Sequence, residues 1–176
     1  RDGLLDVGDG AALARQGEAD ILPHRQRRIE RIAFEGHRDV ALGRRTALRD
    51  LAAATGPGRE LARLHRLMNT IQEELAYTIG ATDAGTTAEE ALRQGSGVCQ
   101  DHAHIFTAAA RLLDFPARYV SGYLMMNDTI DQAASHAWAE AYVPGLGWVA
   151  FDASNGISPD ERYVRMAVGR EYRDAM

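Results

Sequence analysis

Lysine is absent from this chain: all 20 basic residues are arginine. No lysine is available as a catalytic base or as a self-modification target. Cysteine occurs once, at Cys99. A single thiol cannot close an internal disulfide, so the fold owes nothing to crosslinking and is compatible with a reducing compartment. No stretch approaches the ~20 apolar residues that a membrane-spanning helix needs, and no targeting segment is visible. No membrane segment is therefore expected, and the cytoplasm is the expected location. Basic charge is also in deficit, with a net charge of −5. Nucleic acid is not an expected partner, because phosphate binding needs a basic surface. Aromatic residues are scarce early: of the 12 in the chain, only Phe34 precedes Tyr77.

The chain is long enough, at 176 residues, for one ordinary domain with an appendage. It begins with Arg1 rather than Met and reads as a piece of a longer protein. Residues 1–56 are rich in Arg, Ala and Gly and carry the basic cluster His24-Arg25-Gln26-Arg27-Arg28. Glu30, Glu35, Asp39 and Asp50 interleave with that region, so it reads as a solvated helical or linker segment. The break Gly56-Pro57-Gly58 separates it from residues 57–176, the expected core.

After the break, Leu61, Leu64, Leu67, Met68, Ile71 and Leu75 recur at helical spacing, predicting a helix over about 59–77. Thr86-Thr87-Ala88-Glu89-Glu90 reads as a second helix start, stopped by Gly95. A third helix, apolar on most sides and therefore buried, runs over about 99–113. Beyond Pro116 the period changes. Residues 117–126 read as a strand and 127–135 as a polar loop. His136–Val143 then alternates His136, Trp138, Glu140 and Tyr142 with Ala137, Ala139, Ala141 and Val143. Residues 148–153 and 162–168 read as further strands. Helices followed by antiparallel strands define an α+β arrangement.

Cys99 opens the buried helix, directly after Gly95-Ser96-Gly97-Val98. A helix N-terminus offers free N–H groups and partial positive charge, a place that favours a thiolate. Acyl transfer by a thiol also needs a base and a group that orients the base. His136 opens the alternating strand and Asp152 closes the next one. The two share a face only in certain hairpin registers. Pairing Val143 with Gly147 puts Asp152 across from Trp138 and diagonal to His136. Pairing Val143 with Trp148 turns it away. The candidate triad therefore demands a three- or five-residue connection, or a bulge.

Each member has a plainer reading. A lone cysteine is often a small buried hydrophobe, His136 could be an ordinary strand residue, and Asp152 beside Asn155 and Gly156 could make an Asx-turn. His102, three residues after Cys99, is a rival base. It shares a helix with the nucleophile and is poorly placed to reach a leaving group. His104 reads as structural. A zinc site from Cys99, His102, His104 and His136 is the other chemical option, but their spacing lacks the paired cysteines of known zinc patterns. Neither a metal nor an organic cofactor is expected.

Four motifs, taken in order, carry a resemblance: Gly97-Val98-Cys99-Gln100-Asp101-His102-Ala103-His104, Pro116-Ala117-Arg118-Tyr119-Val120-Ser121-Gly122-Tyr123, Ser135-His136-Ala137-Trp138-Ala139-Glu140 and Gly147-Trp148-Val149-Ala150-Phe151-Asp152. Over about residues 57–176 the chain resembles the transglutaminase-like superfamily, and within it the bacterial branch of predicted cysteine proteases. The segment Ala167–Asp174 is similar to that branch as well. Two positions depart from it: His102 stands where an aromatic is usual, and Ala153-Ser154-Asn155 follows the acid in place of Pro-Thr-Asn.

The resemblance implies a papain-like core whose Cys-His-Asp triad falls on Cys99, His136 and Asp152. It also implies a thioester intermediate formed from an amide and resolved by water or by an amine, with a peptide or protein as substrate. Hydrolysis is the expected outcome, with transglutamination and a catalytically silent binding module as alternatives. Residues 1–56 then read as the remnant of a connection to an N-terminal β-domain. The backbone N–H of Cys99 is the expected oxyanion donor, and Tyr77 and Gln94 are candidates for a second donor from position alone.

Overall fold

The computed structural model describes residues 46–125 and 135–175. The basic cluster at 24–28, Phe34 and nearly all of the expected polar loop lie outside the described residues. In chain order the elements are α1 (Thr46–Ala54), α2 (Glu60–Glu74), β1 (Ala76–Tyr77), α3 (Ala88–Gln94), β2 (Ser96–Gly97) and α4 (Cys99–Leu112). There follow β3 (Ala117–Leu124), β4 (His136–Val143), β5 (Gly147–Phe151), β6 (Tyr163–Gly169) and a 3₁₀ turn at Tyr172–Asp174. The four long strands form one antiparallel sheet in the order β5-β4-β3-β6. The fold is α+β.

Helix α2 ends three residues short of its periodicity, because the chain turns extended at Leu75 to form β1. Strand β1 pairs in parallel with β2, Ala76 with Ser96 and Tyr77 with Gly97. No sequence pattern announces this pair of two-residue strands. It matters because β2 runs directly into the cysteine helix. Helix α3 starts with a reciprocal cap. Thr87 Oγ1 accepts from the Glu90 N–H at 3.3 Å, and the Glu90 carboxylate accepts from the Thr87 N–H at 2.9 Å.

The core lies between α4 and one face of the sheet. Ile105, Phe106, Ala109 and Ala110 of α4 pack with Ala139, Ala141 and Val143 of β4 and with Phe151 of β5. Phe106 stacks on Phe151 with centroids 5.0 Å apart. Leu64, Leu67, Met68 and Ile71 of α2 close the core on the far side of α4. Burial of each such side chain is worth about 1.5–3 kcal/mol. The alanines on both facing surfaces let α4 lie close against β4, which brings the first turn of the helix to the first residue of the strand.

Packed structure begins ahead of the Gly56–Gly58 break. Leu48, Leu51 and Ala52 of α1 are buried in the same core. The first-turn N–H groups of α1 are held by a carboxylate from α3: Glu89 accepts from Ala47 N–H at 3.0 Å and from Leu48 N–H at 3.1 Å. The exposed pattern of residues 46–54 had hidden this, because the partner of the helix start is 41 residues away.

The β4–β5 hairpin takes the register in which Val143 pairs with Gly147 and Tyr142 with Trp148. Pro144 and Gly145 fill the centre of a tight turn closed by the Leu146 N–H on the Val143 carbonyl at 3.0 Å. Gly145 adopts φ +83°, which a side chain would strain. The three-residue connection keeps His136 and Asp152 on one face of the sheet.

Candidate active site

Cys99 is the first residue of α4 and is partly exposed. The turn before it is held by Asp101, whose buried carboxylate accepts from the Val98 N–H at 2.8 Å and from the Thr82 hydroxyl at 2.6 Å. Gly97 is required there by space. A Cβ at that position would lie 2.6 Å from Asp101 Oδ2. Asp101 thus fixes the helix start and leaves the Cys99 N–H facing outward at a positive helix end.

His136 hydrogen-bonds Asp152 through Nε2, 2.7 Å from Oδ2. Its ring also interacts electrostatically with the Cys99 thiol. With Nε2 held by Asp152, Nδ1 is the ring nitrogen left for sulfur. The structure therefore gathers Cys99, His136 and Asp152 at one place. Burial opposes a charge on the His136 ring, but the bond to Asp152 and the neighbouring Cys99 outweigh it and lift the pKa to about 9. Burial likewise opposes charge on Asp152. The His136 bond and the donors from Ser154 and Asn155 overcome it and hold the carboxyl far below the usual carboxylate range.

Asp152 is fully buried and accepts at both oxygens. Oδ1 takes the Ser154 N–H at 3.0 Å, the Ser154 hydroxyl at 2.6 Å and the Asn155 N–H at 3.2 Å. Oδ2 takes His136, the Asn155 amide at 2.7 Å and the Tyr163 hydroxyl at 2.7 Å. The Asx-turn reading and the histidine reading of this residue are both realised. One oxygen builds the turn and the other holds the ring.

Tyr163 went unnoticed in the sequence, where it looks like any strand aromatic. It comes from β6, at the opposite edge of the sheet from β5. Its ring crosses the end of the sheet, edge-on to Trp138 at 5.4 Å and 5.9 Å from His136. Burial and the bond to Asp152 push its hydroxyl pKa well up. Trp138 lies beneath, 6.3 Å from the His136 ring. Gly122 makes room for it: a Cβ there would stand 2.7 Å from the indole and 2.1 Å from the Val164 carbonyl oxygen. Sequence alone offered one faint signal for Tyr163, its place on a strand of the same sheet as His136.

The rival histidines are tied elsewhere. Both ring nitrogens of buried His102 face backbone carbonyls, Nδ1 at 2.9 Å from Val98 O and Nε2 at 3.2 Å from Leu75 O. This ring is a strut between α4 and the entry to β1. His104 accepts from the Tyr172 N–H at 3.2 Å and packs on Tyr119, and burial lowers its pKa. Gln94 is likewise committed, donating to the Ala81 carbonyl at 2.9 Å. Tyr77 is different. It lies beside Cys99, and partial burial together with the thiol raises its pKa.

A helix-borne thiol beside a sheet-borne histidine and a buried acid defines the class of papain-like thiol proteins. The Transglutaminase-like superfamily profile matches residues 49–153, and the chain belongs to that superfamily. It is 33% identical over 130 residues to an uncharacterised protein of Mycobacterium leprae, a match spanning 66% of this chain and 46% of that protein. A candidate cysteine protease of known structure from Cytophaga hutchinsonii is 30% identical with a TM-score of 0.63. That likeness covers 76% of this chain and 46% of the other. A protein-glutamine gamma-glutamyltransferase of Pseudomonas aeruginosa is 30% identical over 97 residues, 50% of this chain and 14% of that protein. The chain thus spans about half the length of the mycobacterial relative or less of these proteins.

Proposed function

We propose that this protein catalyses cysteine-dependent acyl transfer on peptide or protein amide bonds, with hydrolysis as the outcome. The observation that carries the proposal is His136, bonded to a buried, ionised Asp152 and set beside the Cys99 thiol. In the first step Cys99 Sγ, its proton already on the His136 imidazolium, attacks the amide carbonyl carbon. The oxyanion that forms is met by the Cys99 N–H and by the Tyr77 hydroxyl beside it. The C–N bond breaks, and His136 protonates the departing amine. Asp152 stabilises the imidazolium and holds Nε2 so that the other nitrogen carries the transferred proton. Water then attacks the thioester, giving its proton to His136, and the acid and free thiol are released. Each of these steps uses groups of the chain alone.

Transglutamination differs only in the last step, where an amine replaces water, and the gamma-glutamyltransferase relative favours it as the second reading. The test is incubation with a glutamine peptide and a labelled amine, beside a panel of peptide substrates. Cleaved peptide or ammonia without label incorporation supports hydrolysis. Label incorporation supports the transferase. A Cys99→Ser variant as active as the parent would overturn both.

A further inference from the structure

A small apolar cluster joins the two halves of the candidate site. It holds Ala103 of α4, one turn past Cys99, Tyr119 of β3 and Ala137 of β4, the residue after His136. Cys99 packs against it. The fourth buried member is Ala175, and Tyr172 packs beside it. Both belong to the turn that follows β6. This turn therefore closes the cluster that carries the thiol and the neighbour of its base. Several bonds fasten the turn. The chain doubles back on the end of β6, where a Cβ on Gly169 would lie 2.5 Å from Asp174 Cβ. The Asp174 carboxylate accepts from the Arg170 N–H at 3.1 Å, and Arg111 of α4 donates to the Arg170 carbonyl at 2.8 Å. Those bonds hold the root of the turn. Further along, the Tyr172 N–H donates to His104 Nε2 at 3.2 Å. The His104 ring centre also lies 5.0 Å from that of Tyr119 and 6.5 Å from that of Tyr172. Helix, strand and turn thus meet on this imidazole.

We infer that His104 is a positioning residue: its unprotonated Nε2 latches the turn at Tyr172 onto α4, and the latched turn keeps the Cys99 end of the helix against the start of β4. The consequence at the thiol rests on the acyl-transfer reading, whereas the latch itself does not. An imidazolium has no acceptor, so protonation turns Nε2 into a donor aimed at another donor. The groups that face the ring are Asp101 and Arg111 on its own helix, Tyr119 on β3, and Glu171 and Tyr172 on the turn. Burial does most to lower the pKa of this ring and Arg111 adds to it, while Asp101 and Glu171 oppose them. The sign follows from a folded pKa below the ordinary one. The latch is at full strength above about pH 6.5 and weakens as pH falls below that value. Between pH 7.5 and 5 the open population should rise by up to about 30-fold, the ratio of charged to neutral imidazole in an open turn at pH 5.

Hydrogen exchange of the Tyr172 and Ala175 amides in the intact chain, read by NMR and corrected for intrinsic exchange at each pH, follows the latch without a known substrate. In the parent these amides should exchange up to about 30-fold faster at pH 5 than at pH 7.5. His104→Gln offers an acceptor oxygen that does not titrate, and its turn should stay protected at both pH values. His104→Phe fills the space without an acceptor, and its turn should exchange fast at both. Alkylation of Cys99 by iodoacetamide at pH 7.5 should fall by about fivefold in His104→Phe, the equivalent of one lost hydrogen bond, and recover in His104→Gln. A parent turn whose protection ignores pH, or a pH response that survives in His104→Gln, would overturn the latch even if His104→Phe fails to fold. An open turn in His104→Phe with Cys99 alkylated at the parent rate would overturn the positioning role. A Cys99 no faster than N-acetylcysteine in the parent, with a turn that still opens in acid, would count against the acyl-transfer reading and leave the latch standing.

Discussion

Asp152→Asn changes one atom and separates the two roles of this side chain. The amide has one acceptor and one donor end. At the Oδ1 position two backbone N–H groups and a hydroxyl point inward, and the backbone donors cannot turn away. The amide oxygen must stay there, so the NH2 group faces His136, Asn155 and Tyr163 in place of Oδ2. His136 Nε2 then has to accept rather than donate. The ring proton moves to Nδ1, the nitrogen that should receive the thiol's proton. The imidazolium loses its buried counter-charge, and the His136 pKa should fall from about 9 to its ordinary value near 6.5 or below. That drop is worth about 3 kcal/mol and lowers the equilibrium constant for forming the reactive ion pair by about 300-fold. The assay is the rate of Cys99 alkylation by iodoacetamide from pH 5 to 9, read by intact mass. NMR titration of the His136 ring and near-ultraviolet circular dichroism would accompany it. A folded Asp152→Asn protein that alkylates at the parent rate, or whose His136 still titrates near 9, would refute the reasoning.

Tyr163→Phe removes one donor from the oxygen that holds His136, making that oxygen a stronger acceptor. The His136 titration should move up by about half a unit to one unit, with a stability loss of about 1 kcal/mol; a downward or absent shift by NMR contradicts this. Gly122→Ala drives a methyl against the Val164 carbonyl and the Trp138 ring. It should destabilise by about 2–3 kcal/mol, a melting decrease of several degrees by calorimetry. The parent's own stability should depend on pH in two limbs. The contribution of Asp152, whose folded pKa is depressed, is present above its unfolded value near 3.9 and is lost as pH falls below it. The contribution of His136, whose folded pKa is raised, is complete below about 6.5 and is lost as pH rises toward about 9. Denaturant midpoints across this range should therefore decline on the alkaline side in the parent and stay flat there in Asp152→Asn.

Much of this architecture was legible before any coordinates. Periodicity marked α2, α4 and β4 because their apolar faces are continuous in sequence. The Gly97-Val98-Cys99 junction announced a helix mouth because the preference of glycine for close backbone approach is local. The β4–β5 register stayed open in the sequence, and the fold takes the pairing of Val143 with Gly147 that the candidate triad demanded. What escaped were features made by partners distant in the chain. The β1–β2 pair is two residues long on each side and has no pattern to show. Helix α1 has its first turn capped by Glu89, more than 40 residues on.

The amino-acid order by itself determined where a thiol could sit at a helix end, which histidine and acid could share a face of the sheet, and that no lysine chemistry was open. Tertiary structure decided which groups complete that site. His102 stands in the sequence as a rival to His136, nearer the thiol but on its own helix. Only the fold puts carbonyls on both nitrogens of the first, and a thiol and a carboxylate on the second. Tyr163 comes from one edge strand and Asp152 stands just past the end of the other, and the two meet across the end of the sheet beside Trp138. Helix starts and turns are set by neighbours within a few residues. A buried carboxylate with six donors takes four of them from Ser154 and Asn155 beside it, but the other two come from His136 and Tyr163 on separate strands, and no local pattern encodes those.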